Sequence, residues 1–175
     1  MLKYLLVAAS LAFVGPASAA DVTTPVRAIM DVATALWSSG DGEAGDYFDE
    51  AHIGNFSKTM RALYTEATKH PAFDTEDGTG SPFDYDPIVL GQDGCPLEGL
   101  TFQVGKKDGA ATDVVARFKH FSCMDGASDE ERNAVSEVHF RVISENGRPV
   151  ISDVASGEGD DHYSLAQALK EILAQ

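Results

Sequence analysis

The stretch SPFDYDPIVLGQDGCP, residues 81–96, decides how the chain is built. Upstream of it the apolar residues recur at steps of three and four, the spacing of a buried helix face. From Glu98 to Ala155 they alternate every second residue, the spacing of half-buried strands. The stretch is therefore a hinge between a helical part and a sheet. It also gathers Asp84, Asp86 and Asp93, the amide Gln92, the phenol Tyr85 and the first of two cysteines, Cys95.

Working back from the hinge, Thr24-Pro25 reads as a helix start, because a threonine hydroxyl can accept an orphan amide and a proline at the first helical position has none to lose. Val26, Ile29, Met30, Ala33, Leu36 and Trp37 then form one stripe, stopped by Ser38-Ser39-Gly40. Phe56, Met60, Leu63, Tyr64 and Ala67 form a second, ended by His70-Pro71. Stripes this regular belong to a core. The acidic run between Pro71 and Pro82 reads as an exposed loop. A calcium loop fails there, since aligning Gly78 with the invariant glycine puts Phe73 and Thr75 where carboxylates are needed.

Working forward, Leu100, Phe102 and Val104 fold about Gly109 onto Phe118, Ala116 and Val114, and the same register sets Cys95 opposite Cys123. After a polar turn, Asp125 to Asn133, comes a third strand with Val138, Phe140 and Val142. Asn146-Gly147 then predicts a two-residue hairpin that pairs Val142 with Ile151 and Phe140 with Asp153. Asp153 is thereby expected on the apolar face, either satisfied by amides or an arginine, or lining a cavity between sheet and helices. Glu137, His139, Arg141, Arg117 and Lys119 occupy the opposite face. His120 and His139 are the only histidines placed to approach each other, and no ligand spacing makes them a zinc site. A last helix carries Leu165, Ala168, Leu169, Ile172 and Leu173, capped by Asp160, Asp161 or Ser164. The expected fold class is α+β: N-terminal helices packed on a curved four-stranded antiparallel meander, with a C-terminal helix, all in one domain over residues 21–175.

Met1–Ala20 has Lys3, the apolar run Tyr4–Val14, a Gly-Pro break and small residues, which is the pattern of a secretory signal peptide. The run is shorter than the roughly 20 residues a membrane span needs. Cleavage is expected after Ala19 or Ala20, and no cysteine stands there for lipid attachment, so the chain reads as periplasmic or secreted. A net charge of −15 disfavours nucleic acid and anionic membranes as partners and suits solubility. Two cysteines in an exported chain favour a disulfide; a nucleophilic thiolate would need a basic neighbour, and neither Cys95 nor Cys123 has one in sequence.

The order of elements resembles the α+β cone of the nuclear transport factor two-like and cystatin-like superfamily. More narrowly, Asp84-Tyr85-Asp86-Pro87, then Gln92-Asp93, a strand pair and Val150-Ile151-Ser152-Asp153-Val154 resemble a family of uncharacterised exported bacterial proteins. That family commonly has an aromatic residue before the isoleucine–aspartate pair, where this chain has Arg148-Pro149. The superfamily holds pocket-acid isomerases and dehydratases alongside pure binding modules, so fold alone does not choose between them. With no phosphate loop, nucleophile elbow or zinc motif in the sequence, the expected function is a non-catalytic binding or accessory domain without a cofactor. Its partner would be a small molecule, an exported protein, or a second copy joined through the open sheet face. The binding candidates are Asp153, Asp86, Asp93, Tyr85, Gln92 and Arg141. The alternative is a small hydrolase, isomerase or dehydratase with Asp153 or Asp86 as base and Tyr85 or Arg141 stabilising developing charge.

Overall fold

In the computed structural model, residues 21–39, 46–157 and 162–175 are described. Helix α1 (Thr24–Ser39) is followed by a 3-10 turn (Ile53–Asn55) and α2 (Lys58–Ala67). The hinge then leads into β1 (Glu98–Asp108) and β2 (Ala111–Lys119). A short α3 (Asp129–Asn133) precedes β3 (Ser136–Glu145) and β4 (Arg148–Ser156), and the chain closes with β5 (Tyr163–Ser164) and α4 (Leu165–Ile172). The strands form one antiparallel sheet in the order β1-β2-β3-β4-β5. The class is α+β as expected, with five strands in place of four. The expected leader and the cap candidates Asp160 and Asp161 lie outside the described residues. Among the described residues, no helix is long and apolar enough to cross a membrane.

The core is the expected one except at two positions: Val104 of β1 and Leu173, just past α4, which their spacing puts on apolar faces, are exposed. Val26, Ile29, Met30 and Ala33 of α1 pack with Met60, Tyr64 and Ala67 of α2 and Leu165 and Leu169 of α4, over the inner face of the sheet. That face presents Val114, Ala116 and Phe118 from β2, Val138, Phe140 and Val142 from β3, and Ile151 and Val154 from β4. Phe56 tethers the helical part to the sheet by a bridge to Ile151, with the Ser57 amide donating to the Ile151 carbonyl at 2.8 Å. Helix α1 starts differently from the reading: Thr24 is already helical, and Asp21 ties the entry by accepting from the Thr23 amide at 2.9 Å and hydroxyl at 3.0 Å. Ser57 caps α2 and Ser164 caps α4, each accepting at 3.2 Å from the amide three residues on.

Three bulges interrupt the ladder; the one at Gly105 and Lys106, opposite Asp113, moves only the pairs beside the turn (Lys107 faces Thr112), and the other two change the expected registers of the strands. Phe102 faces Ala116 and Val104 faces Val114, but Glu98 pairs with Lys119 and Thr101 with Arg117, so Gly99 and Leu100 together oppose Phe118. Gly99 takes φ +66, the left-handed backbone such a bulge needs. The disulfide Cys95–Cys123 forms beyond it, with Cα atoms 5.6 Å apart and the Cys95 amide donating to the His120 carbonyl at 2.8 Å. In the second hairpin, Asn146 (φ 51) and Gly147 (φ 78) make the expected turn and Val142 faces Ile151. Ser152 is then an extra residue, its hydroxyl donating to the Arg141 carbonyl at 2.9 Å. Phe140 consequently faces Val154, and Asp153 faces Arg141. One inserted residue exchanges the two faces of a strand. Asp153 therefore lies on the outer side of the sheet, and the expectation that it faces the apolar core is corrected.

Candidate functional site

The hinge closes on itself through Asp86. Its amide donates to the Gly91 carbonyl at 2.8 Å and its carbonyl accepts from the Leu90 amide at 2.9 Å. Leu90 is held at φ 61, a backbone conformation that costs a branched residue on the order of 1 kcal/mol. An aspartate before proline readily starts such a turn, because its side chain can accept from amides two and three residues on. Oδ1 of Asp86 does so, accepting from Ile88 and Val89, both at 2.8 Å. Oδ2 accepts from the Trp37 indole at 2.7 Å and the Tyr47 hydroxyl at 2.5 Å. One carboxylate thus ties the hinge to the end of α1 and to the segment before α2. Tyr47 is buried, and that burial, with the adjacent charge of Asp86, pushes its hydroxyl far above the ordinary phenol range.

Two glycines let the tryptophan in. A Cβ on Gly91 would stand 2.7 Å from the Trp37 ring, and one on Gly94 would stand 2.2 Å from it and 2.9 Å from the His120 carbonyl. Residues 91–94 therefore lie directly against the indole, a distance no side chain would permit. On the far side Trp37 meets the edge of His120, ring centroids 5.5 Å apart. His120 is 4 % exposed, its Nδ1 lies 3.1 Å from the Ser136 hydroxyl, and burial holds its imidazole below the ordinary value.

Above this floor lies a groove of about 550 Å³, walled by Leu36, Trp37, Phe73, Phe83 and Tyr85, with Asp84, Gln92 and Asp93 at its rim. Phe73 is 67 % exposed. Tyr85 is half-buried, tilted against Phe83 (5.4 Å) and edge-on to Tyr163 (6.4 Å), and burial raises its hydroxyl above the ordinary phenol value. Gln92 donates to the Asp84 carbonyl at 3.0 Å, which fixes the rim. Four of the six expected site residues, Tyr85, Asp86, Gln92 and Asp93, thus meet at one groove. Asp86 bonds backbone amides, whereas Asp93 is exposed, with no such bond among the described residues.

The other two candidates, Asp153 and Arg141, sit in a separate concavity of about 410 Å³ on the outer sheet face, with Asp113, His139 and His162. Asp153 Oδ1 accepts from the amides of Val154 (2.9 Å) and Ala166 (3.0 Å), and Oδ2 accepts from the Ser164 hydroxyl at 2.7 Å. It is a second cap on α4. Arg141 lies 3.5 Å from Asp108, and His139 Nδ1 lies 3.1 Å from Asp113. Arg117 forks onto Glu137, at 2.5 Å and 3.2 Å, and also donates to Gln103 at 2.7 Å. This is the outer face read from the sequence, and the structure shows it laced with ion pairs. His120 and His139 do not meet: one closes the core near Trp37, the other stands on this face. Among the described residues, no group of three acidic, histidine or cysteine side chains is placed to hold a metal ion.

Sequence reasoning assigned Trp37 to the core and saw Phe73 only as a misfit in a calcium loop. The legible signal was a lone tryptophan closing a helix, matched by Gly91 and Gly94 three residues apart in a polar hinge.

Neither a protein-family profile nor a solved structure matches the chain. A curated relative is the uncharacterized protein YqhG of Escherichia coli strain K12, 26 % identical over 134 residues that cover 74 % of this chain. The match spans 41 % of that protein, so the chain corresponds to about two-fifths of its length.

Proposed function

We propose that this chain is an exported, non-catalytic binding domain and that the groove beside Asp86 is its ligand seat. The observation that carries the reading is the contrast between floor and walls. Four donors occupy the carboxylate of Asp86, whereas Phe73 and the rim acids Asp84 and Asp93 stand open to solvent. A general base needs a free lone pair within reach of the proton it takes. The lone pairs of Asp86 are engaged, and Asp153 is likewise spent on three donors at the start of α4. A concave, partly aromatic site with a few fixed polar groups is the common form of a small-molecule seat. The leader-like segment and the disulfide support export, and helices on one face of an antiparallel meander support the cone-like resemblance.

The test is native mass spectrometry of the protein after incubation with the small-molecule fraction of an exported-compartment extract. A retained small mass that is lost in Phe73→Ala and kept in Val104→Ala supports the reading; Val104 is also exposed but lies on β1, away from the groove. Equal loss in both variants, or no retained mass in the wild type, refutes it.

A further inference from the structure

The chemistry of the groove narrows its ligand. We propose that it takes a small organic cation, an ammonium or guanidinium on an apolar body, an inference that rests on the binding reading above. Three carboxylates line the groove, Asp84, Asp86 and Asp93, and among the described residues no lysine, arginine or histidine does. Asp84 and Asp93 are exposed on the rim, where their charge is available to a guest. Phe73 presents an open ring beside them, and an aromatic face attracts a cation held near its centroid. The net charge of −15 adds a long-range field that concentrates cations and repels anions.

The same features exclude the neighbouring ligand classes. A bare metal ion needs several free oxygen ligands at close quarters. Asp86 has its oxygens occupied by Trp37, Tyr47, Ile88 and Val89, and the described residues place no three ligands together. A free anion meets a rim of its own sign. A concavity of about 550 Å³ has the size of a small-molecule seat. The apolar walls Leu36, Phe73 and Phe83 call for a hydrocarbon body, which a simple hydrated cation lacks.

Three probes of one size and different charge test the assignment: phenethylammonium, phenethyl alcohol and phenylacetate. Trp37 is the single tryptophan of the chain and lines the groove, so its fluorescence reports occupancy, with calorimetry as an independent readout. The cation should bind about tenfold more tightly than the alcohol, and the anion more weakly than either. Raising salt from about 0.05 to about 0.5 M should weaken the cation and spare the alcohol. The exposed double variant Asp84→Asn/Asp93→Asn should remove most of the cation's advantage while leaving the melting temperature and the alcohol affinity in place. Equal or tighter binding of the alcohol or of phenylacetate overturns the cation assignment and leaves the binding reading standing. Failure of all three probes also overturns it, and the extract experiment above then decides separately whether the groove binds anything.

Discussion

Replacing Asp86 with asparagine exchanges one oxygen for an NH2 group and should cost the protein a substantial part of its stability. The asparagine oxygen can still accept from the amides of Ile88 and Val89, but as a neutral acceptor, which weakens each bond by about 0.5 to 1 kcal/mol. The other end becomes an amine that faces the indole N–H of Trp37 and the hydroxyl of Tyr47. A hydroxyl can turn and accept; an indole can only donate. Leaving that indole without an acceptor adds about 1 to 2 kcal/mol, for a total of about 2 to 4 kcal/mol. In a domain of this size each kcal/mol lowers the melting temperature by about 2 to 4 °C, so a fall of about 4 to 16 °C is expected. Thermal unfolding measures that shift, and urea unfolding followed by far-ultraviolet circular dichroism measures the free-energy loss, in Asp86→Asn, Trp37→Phe and the double variant. The double variant should be less destabilised than the sum of the singles by about 1 to 2 kcal/mol, because phenylalanine leaves no orphaned donor. A loss under about 0.5 kcal/mol in Asp86→Asn, or strict additivity, would refute Asp86 as the tie between hinge and helix.

Asp153→Ala should lower stability by about 1 to 2 kcal/mol through loss of its α4 cap, while binding in the groove is unchanged; a stabilised variant would contradict the capping role. Thiol titration of the unfolded, unreduced protein should find no free sulfhydryl, and Cys95→Ser/Cys123→Ser should cost about 3 to 4 kcal/mol for a loop of this length; two titrating thiols would defeat the pairing. Because burial depresses the imidazole of His120, the unfolded chain takes up the proton first as pH falls. Its contribution to stability is complete above about pH 6.5 and declines as the pH drops toward the folded-state value, so His120→Gln should flatten the stability profile between about pH 7 and pH 5. An unchanged slope in that variant would assign the titration elsewhere. Gly94→Ala should destabilise the protein by about 1 to 3 kcal/mol, since its methyl would meet the Trp37 ring; a neutral outcome in denaturant titration would show that the indole is free to move.

Periodicity made most of the fold legible, and its failures have local causes. The stripes of α1, α2 and α4, apart from the exposed Leu173 at the end of the last, and the inward residues of β2 and β3 are where the spacing puts them, because each element buries one face. The two register errors away from the turn are one-residue bulges. Gly99, a glycine inside a strand pattern, carried a signal for the first; Ser152 carried none for the second, and the Asn146-Gly147 turn fixed the register only as far as Ile151. Helix α3 was present in the sequence as a capping box, Ser128 and Glu131, inside what reads as a polar turn. Strand β5 is two residues long, too short for any period. The hinge announced itself by composition, so Tyr85, Asp86, Gln92 and Asp93 could be named together. Their partners could not: Trp37 and Tyr47 reach Asp86 across 49 and 39 residues, a meeting set by how α1 lies over the sheet. Asp153 was misplaced by the Ser152 bulge alone.

The most direct test of the groove as ligand seat is a two-dimensional amide NMR titration of the protein with phenethylammonium, following the Trp37 indole N–H. The account predicts saturable shifts confined to that indole and to the amides of Phe73, Tyr85, Gly91, Gln92, Asp93 and Gly94. Shifts that gather instead on Asp113, His139 and Arg141 would put binding on the outer sheet face and contradict it.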